Sequence, residues 1–204
     1  MAHTNGTNGT SYADFGPSST IPLFLDGKEI TTEKTFDVTS PNDNKVCWKC
    51  SAASEQDALN AVASAQKAFK TWSKTKPSQR RDILLKAAEL LKQSKETAYR
   101  HSNVETGAVS SMTDFEFNLA IEGCLTMGGL IQSVNGSVLT PGEEGKSALM
   151  LREPYGVILA IAPWNAPHVL GMVSGQKGSR KLQMLTFLIA VVSWRCSNGQ
   201  YSRA

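Results

Sequence analysis

Between Gly156 and Pro163 the residues Val157-Ile158-Leu159-Ala160-Ile161-Ala162 carry no polar side chain. A run this short, bracketed by glycine and proline, fits a β-strand covered on both faces. Such strands belong to parallel sheets packed between helices, so the run demands helical layers elsewhere in the chain. Those layers are legible upstream. Ser54 opens a helix with Asp57 placed to reach back as in a capping box, and Ala58, Val62, Ala65, Phe69 and Trp72 recur at spacings of three and four. Pro77 suits a second helix start, with Leu84, Ala87, Ala88 and Leu91 giving an apolar stripe to about Lys92. A third, weaker segment spans about Ser94 to Thr106 and stops at Gly107. A fourth runs from about Met112 to Ser133, with Phe115, Leu119, Glu122 and Leu125 on successive turns. Gly123, Gly128 and Gly129 lower its propensity by roughly 1 kcal/mol each relative to alanine, so a closely packed neighbour is expected to hold it.

Extended pieces flank these helices. "PLFLDGKEI", "TFDV" and "KVCWKCS" are separated by Asp26-Gly27 and Pro41-Asn42-Asp43-Asn44, which is turn chemistry, and predict two or three antiparallel strands. "GSVLT" and "KSALMLRE", joined through Pro141-Gly142-Glu143-Glu144-Gly145, predict a hairpin. Residues 1–20 hold too little apolar surface to offset chain entropy and read as a disordered leader.

Of the 204 residues, 41% are hydrophobic and 19% charged, with a net charge of +3, which suits a globular domain. The positive charges form no stripe, so nucleic acid is not an expected partner. No secretory signal opens the chain, and the apolar stretch Leu182 to Trp194 is shorter than the ~20 residues that span a bilayer. The expected setting is the cytoplasm, without a membrane. Cys47 and Cys50 have C-x-x-C spacing but lack a second ligand pair for zinc. They also sit in an extended piece instead of at a helix start, and are expected to be structural or surface thiols, with no metal bound. Gly175-Gln176-Lys177-Gly178-Ser179 lacks phosphate-loop spacing.

"REPYGVILAIAPWNAP", residues 152–167, resembles the strand and turn that open the dinucleotide fold of NAD(P)-dependent aldehyde dehydrogenases. The upstream order "LDGKEI", "SPNDNKV", "AFKTWSKTKPSQRRDILLKAAELL" and "ETG" resembles the same family, over about residues 21–171. The subgroup most similar contains aromatic-aldehyde dehydrogenases of the salicylaldehyde and vanillin type. The resemblance implies an α/β fold: the N-terminal portion of a Rossmann-like cofactor domain, incomplete, with residues 136–153 as the base of an oligomerisation hairpin. It implies NAD or NADP as cofactor, an aldehyde as substrate, and oxidation to the carboxylic acid.

It also implies that Ile161, Ala162, Pro163 and Trp164 line the nicotinamide and ribose end of the cofactor, and that Asn165 is an oxyanion-hole donor. The chemistry agrees, because negative charge on the substrate oxygen needs a donor already aimed at it, and strand ends of open α/β sheets are where ligands bind. Asn165 read by itself could equally cap a helix starting near Ala166. His168 has no Cys, Asp or Glu beside it in sequence and reads as a packing or surface histidine. Glu105-Thr106-Gly107 resembles a family segment that positions the long helix.

In the family the nucleophilic cysteine, the water-activating carboxylate and the full βαβ unit lie beyond the equivalent of residue 171. Residues 172–204 match none of these, and "WRCSNGQ" around Cys196 is unlike the nucleophile's context. Two outcomes are expected of such a chain. One is the family reaction; the other is an inactive, truncated paralogue or pseudogene product that at most associates with full-length subunits or with itself.

Overall fold

The computed structural model describes residues 16–172. Most of the leader expected over 1–20 and most of the tail expected over 172–204 therefore lie outside the described residues. At the leader's inner end, however, a turn over residues 16–19 leads into β1 (Thr20–Ile21). The Lys49 N–H donates to the Ser19 carbonyl at 2.9 Å, and this long-range bond fixes a segment whose own composition gives no cue.

Asp26 and Gly27 both take positive φ, 53° and 75°, the pairing that lets a two-residue turn follow strand twist. It closes β2 (Leu23–Leu25) on β3 (Lys28–Ile30), and the Ser64 hydroxyl ties the turn to the first helix by donating to Asp26 Oδ1 at 2.7 Å. β4 (Thr35–Thr39) pairs antiparallel with β5 (Val46–Ser51), with an irregularity between Val38 and Thr39. The expected antiparallel strands are present. The parallel pairing of β1 with β5 was not foreseen, because a two-residue strand has no period to read.

Helix α1 (Glu55–Trp72) starts on the capping box read from sequence: Ser54 Oγ accepts the Asp57 N–H, and the Asp57 carboxylate accepts the Ser54 N–H. The second and third predicted helices are one helix, α2 (Pro77–Thr106), about 45 Å long at 1.5 Å per residue. Nothing between Lys92 and Thr106 breaks it, since that stretch holds neither proline nor glycine. Ser94 hydrogen-bonds within the helix, to the Leu91 carbonyl at 3.2 Å. Lys95 and Tyr99 both reach Asp114 on the next helix. The helix ends where expected, at Gly107 with φ 71°.

α3 (Ser110–Leu130) and a 3-10 turn (Ile131–Ser133) follow. Its inward stripe is Thr113, Glu116, Phe117, Ala120, Ile121, Cys124 and Gly128, while Phe115, Leu119 and Leu125 of the expected stripe are exposed. At Gly128 the small residue faces inward because α2 comes close: a Cβ there would lie 3.3 Å from Leu85 Cδ2. Gly129 has no such neighbour.

α2 is the spine of the core. Leu84 packs with Ile131, Trp72 and Met127; Ala88 with Ile121, Cys124, Leu91 and Met172; and Val104 against Val38, Cys47 and Trp48. Between α1 and α2 lies Arg80, 2% exposed. Its Nη2 donates to the Trp72 and Ser73 carbonyls at 3.0 and 3.1 Å and its Nε to Thr75 Oγ1 at 3.0 Å, with the guanidinium 5.7 Å from the Trp72 ring centroid.

The predicted hairpin forms as β6 (Ser137–Leu139) and β7 (Ala148–Met150). The strand expected over Val157 to Ala162 does not form: no strand is assigned there, and Leu159 and Ile161 are each 65% exposed. A two-face-covered strand needs neighbours to take its hydrogen bonds, and no described strand lies alongside it. Parallel pairing among the described residues is confined to β1 and β5, within an otherwise mixed α/β arrangement.

Candidate functional site

The "APWNAP" segment makes a turn between the apolar run and a helical segment, residues 167–172. Two alanines anchor it, since Ala162 and Ala166 are buried while Pro163, Trp164 and Asn165 between them face outward. Ala162 points toward Gly171, where a Cβ would sit 4.0 Å from its own. The first intrahelical bond runs from the Leu170 N–H to the Ala166 carbonyl at 3.1 Å.

Three contacts dock the helical segment into the groove between α2 and α3. His168 Nε2 lies 3.1 Å from Ser102 Oγ on α2, and its ring packs on Phe117 of α3 at 4.6 Å between centroids. Met172 packs on the cluster of Ala88, Ile121 and Cys124. The third contact is electrostatic. Glu116, 3% exposed on α3, accepts hydrogen bonds from the backbone N–H groups of His168 and Val169, the free donors of a helix start.

Burial raises the carboxyl pKa of Glu116 against the opposing pull of those two donors, and its Oε2 has no hydrogen-bond partner among the described residues. Burial, then the nearby charge of His101, lowers the pKa of His168. His101 itself packs edge-on against Trp48 at 5.7 Å.

The structure thus brings Ile161, Pro163, Trp164 and Asn165 together on one exposed turn and turns Ala162 inward. The side chains of Ile161, Pro163 and Trp164 leave exposed apolar surface on this turn. Ala162 can contribute only backbone. No glycine-rich turn opens a helix among the described residues, so none of them offers a cradle for a dinucleotide's phosphates.

Helix capping, the other reading of Asn165, falls at least in part to Glu116. That residue escaped the sequence reading, although a carboxylate in register with Thr113, Phe117, Ala120 and Cys124 was the available signal. Ser102 offered none.

The thiols are placed elsewhere. Cys47 donates to the Val38 carbonyl at 3.1 Å, and Cys124 is fully buried on α3. Burial first, then the charges of Glu105 and Cys47, pushes the Cys50 thiol up to about 11. A thiol with so high a pKa is a poor nucleophile near neutral pH. Cys196 lies outside the described residues. Glu105-Thr106-Gly107 ends α2 and turns the chain into α3, the Thr106 hydroxyl donating to the Ser102 carbonyl at 2.8 Å. No described helix is long and apolar enough to cross a membrane.

Sequence and structure comparisons agree on the lineage. The sequence pattern described as "Aldehyde dehydrogenase family" matches residues 29–175. Vanillin dehydrogenase of Pseudomonas sp. (strain HR199 / DSM 7063) is 38% identical over 154 residues, covering 74% of this chain and 32% of its own. Salicylaldehyde dehydrogenase of Pseudomonas putida is 29% identical over 150 residues, covering 72% of this chain and 31% of its own.

Among solved structures, a salicylaldehyde dehydrogenase from Pseudomonas putida G7, complexed with salicylaldehyde, superposes with a TM-score of 0.75 at 26% identity, over 79% of this chain and 34% of that one. The chain spans about a third of the length of the curated relatives it matches. With its mixed α/β architecture matching part of those structures, the chain belongs to the aldehyde dehydrogenase family.

Proposed function

We propose that this chain carries the oxyanion-donor turn of an aromatic-aldehyde dehydrogenase of the cytoplasm, and that the 204 residues do not turn over aldehyde by themselves. What supports the first half is the exposed Asn165 amide on a turn whose flanks are buried and docked on two long helices. A donor held in that way is pre-aimed, which is what stabilising a developing oxyanion requires. Bound NAD(P)⁺ supplies the two-electron acceptor in such oxidations. The chain's own part is to offer Ile161, Pro163 and Trp164 as an apolar ledge beside the Asn165 side-chain N–H.

The second half rests on the thiols. The family reaction needs an activated sulfur; of the described thiols, Cys47 is hydrogen-bonded in the core, Cys50 is raised in pKa and Cys124 is fully buried, and the sequence around the fourth, Cys196, is unlike the nucleophile's context.

Two measurements test these halves. With vanillin or salicylaldehyde and either NAD⁺ or NADP⁺, the purified chain should form no NAD(P)H above the blank; turnover would overturn the inactive reading. Addition of aldehyde with NAD⁺ should shift the Asn165 side-chain amide resonances and leave those of Asn60 on α1 in place. If Asn165 does not move, the oxyanion reading fails.

A second reading is favoured by the hairpin. Val138 and Leu149 are exposed on a two-stranded sheet of a kind that is marginal alone, and Leu151 is exposed just past its end. A non-catalytic subunit that associates through this hairpin with itself or with a full-length paralogue would cover it. Light scattering of the pure chain, alone and mixed with such a paralogue, decides this: monomers in both cases refute it.

A further inference from the structure

The residue left without a task by the reaction is Glu116. It is an acid on the inward stripe of α3, 3% exposed, where an isolated carboxylate would be costly to bury. Its surroundings offset part of that cost. The N–H groups of His168 and Val169 converge on it, at the start of the helical segment that follows Pro163-Trp164-Asn165. Two further contacts fix where that segment can lie: the His168 ring between Ser102 Oγ and Phe117, and Met172 in the α2–α3 core.

With α3 rigid and the segment tied at both ends, two residues separate the held N–H groups from Asn165. We propose that Glu116 is a positioning residue for Asn165: it holds the first turn of the segment 167–172 from the neighbouring helix and thereby sets the direction in which the Asn165 amide is presented. The assignment rests on the oxyanion reading of Asn165 for its purpose, but its geometry is tested separately.

Glu116→Gln keeps the shape and one acceptor oxygen while removing the charge. Backbone amide resonances of the intact chain give the first readout. In the wild-type protein the His168 and Val169 amide protons should shift together as Glu116 titrates above the usual carboxylate range. In E116Q that shift should vanish. His168 and His101 are the other titratable groups facing this point, and their contribution persists in both proteins.

The second readout is amide hydrogen exchange. In E116Q, exchange at His168 and Val169 should quicken by about tenfold, the loss of roughly one hydrogen bond, while Ala120 on α3 stays protected. The Asn165 side-chain resonances should broaden as well. Exchange that rises throughout α3, or that leaves His168 and Val169 unchanged, overturns the proposal. Should E116Q fail to fold, the wild-type titration decides alone, since amides at 168 and 169 that ignore the carboxylate refute it. A positive outcome here with no aldehyde-induced shift at Asn165 would leave Glu116 holding the turn and remove the oxyanion reading instead.

Discussion

Arg80→Met would test whether the α1–α2 corner is held by a buried cation. The substitution keeps most of the aliphatic stem and deletes three hydrogen bonds, to Thr75 Oγ1, the Trp72 carbonyl and the Ser73 carbonyl. Bonds from a charged donor contribute about 1.5–3 kcal/mol each, yet the sum overstates the loss, because the mutant no longer buries a guanidinium. The Trp72 carbonyl also keeps the Thr75 N–H at 3.0 Å, so Ser73 O is the acceptor most exposed to the loss. Allowing for the lost cation–π contact as well, the expected net cost is about 2–4 kcal/mol.

For a domain of this size that corresponds to a fall in Tm of roughly 5–12 °C. Urea unfolding followed by tryptophan fluorescence measures it, with Trp72 directly under the perturbed group. Arg80→Lys should fall between the two, since an ammonium cannot fork to both carbonyls. If Arg80→Met lies within about 0.5 kcal/mol of the parent, the range of ordinary surface changes, then the buried guanidinium contributes nothing net and the reasoning is refuted.

Three other outcomes follow from local geometry. Gly107→Ala should destabilise by about 1–2 kcal/mol, because φ is 71° and the new Cβ would meet Pro41 Cγ at 3.2 Å; an unchanged melting curve would contradict it. Cys50 should be alkylated at pH 8 about 100-fold more slowly than an ordinary thiol, as its pKa stands near 11 against 9.0, which peptide mass spectrometry of a time course checks. His168, its pKa lowered by burial, binds protons less readily folded than unfolded. Stability should therefore fall as pH drops below 6.5, until the folded-state pKa is passed. His168→Leu should flatten that slope in urea titrations at pH 7.5 and 5.5. Glu116 has the opposite sign, losing stability as pH rises through its raised value, and is common to both proteins.

Where a local rule sufficed, the sequence and structure agree. Ser54 with Asp57, Asp26-Gly27 and Gly107 each set a boundary through the backbone geometry of a few adjacent residues. The rule failed where the decisive partner is distant. The weak periodicity after Lys92 suggested a break in α2, but Lys95 and Tyr99 meet Asp114 across the groove. The face of α3 was misjudged by its large apolar residues, since Phe115 and Leu119 face outward while Phe117, Ile121 and the small Ala120, Cys124 and Gly128 face inward.

The run from Val157 to Ala162 carries a strand's pattern without described neighbours to pair with. At the candidate site, Asn165 and its companions were readable because their motif is contiguous. Glu116 and Ser102 were not, since each meets the segment after the turn from a position more than forty residues away in sequence.

His101 and Ser102 are consecutive on α2, yet one leans on Trp48 of the N-terminal sheet and the other on His168 beside the turn. One turn of α2, with Val104 also packed on the sheet, touches both the N-terminal sheet and the segment after the turn. A substitution in β5 that tilts Trp48 therefore presses on the same turn of α2 that carries Ser102.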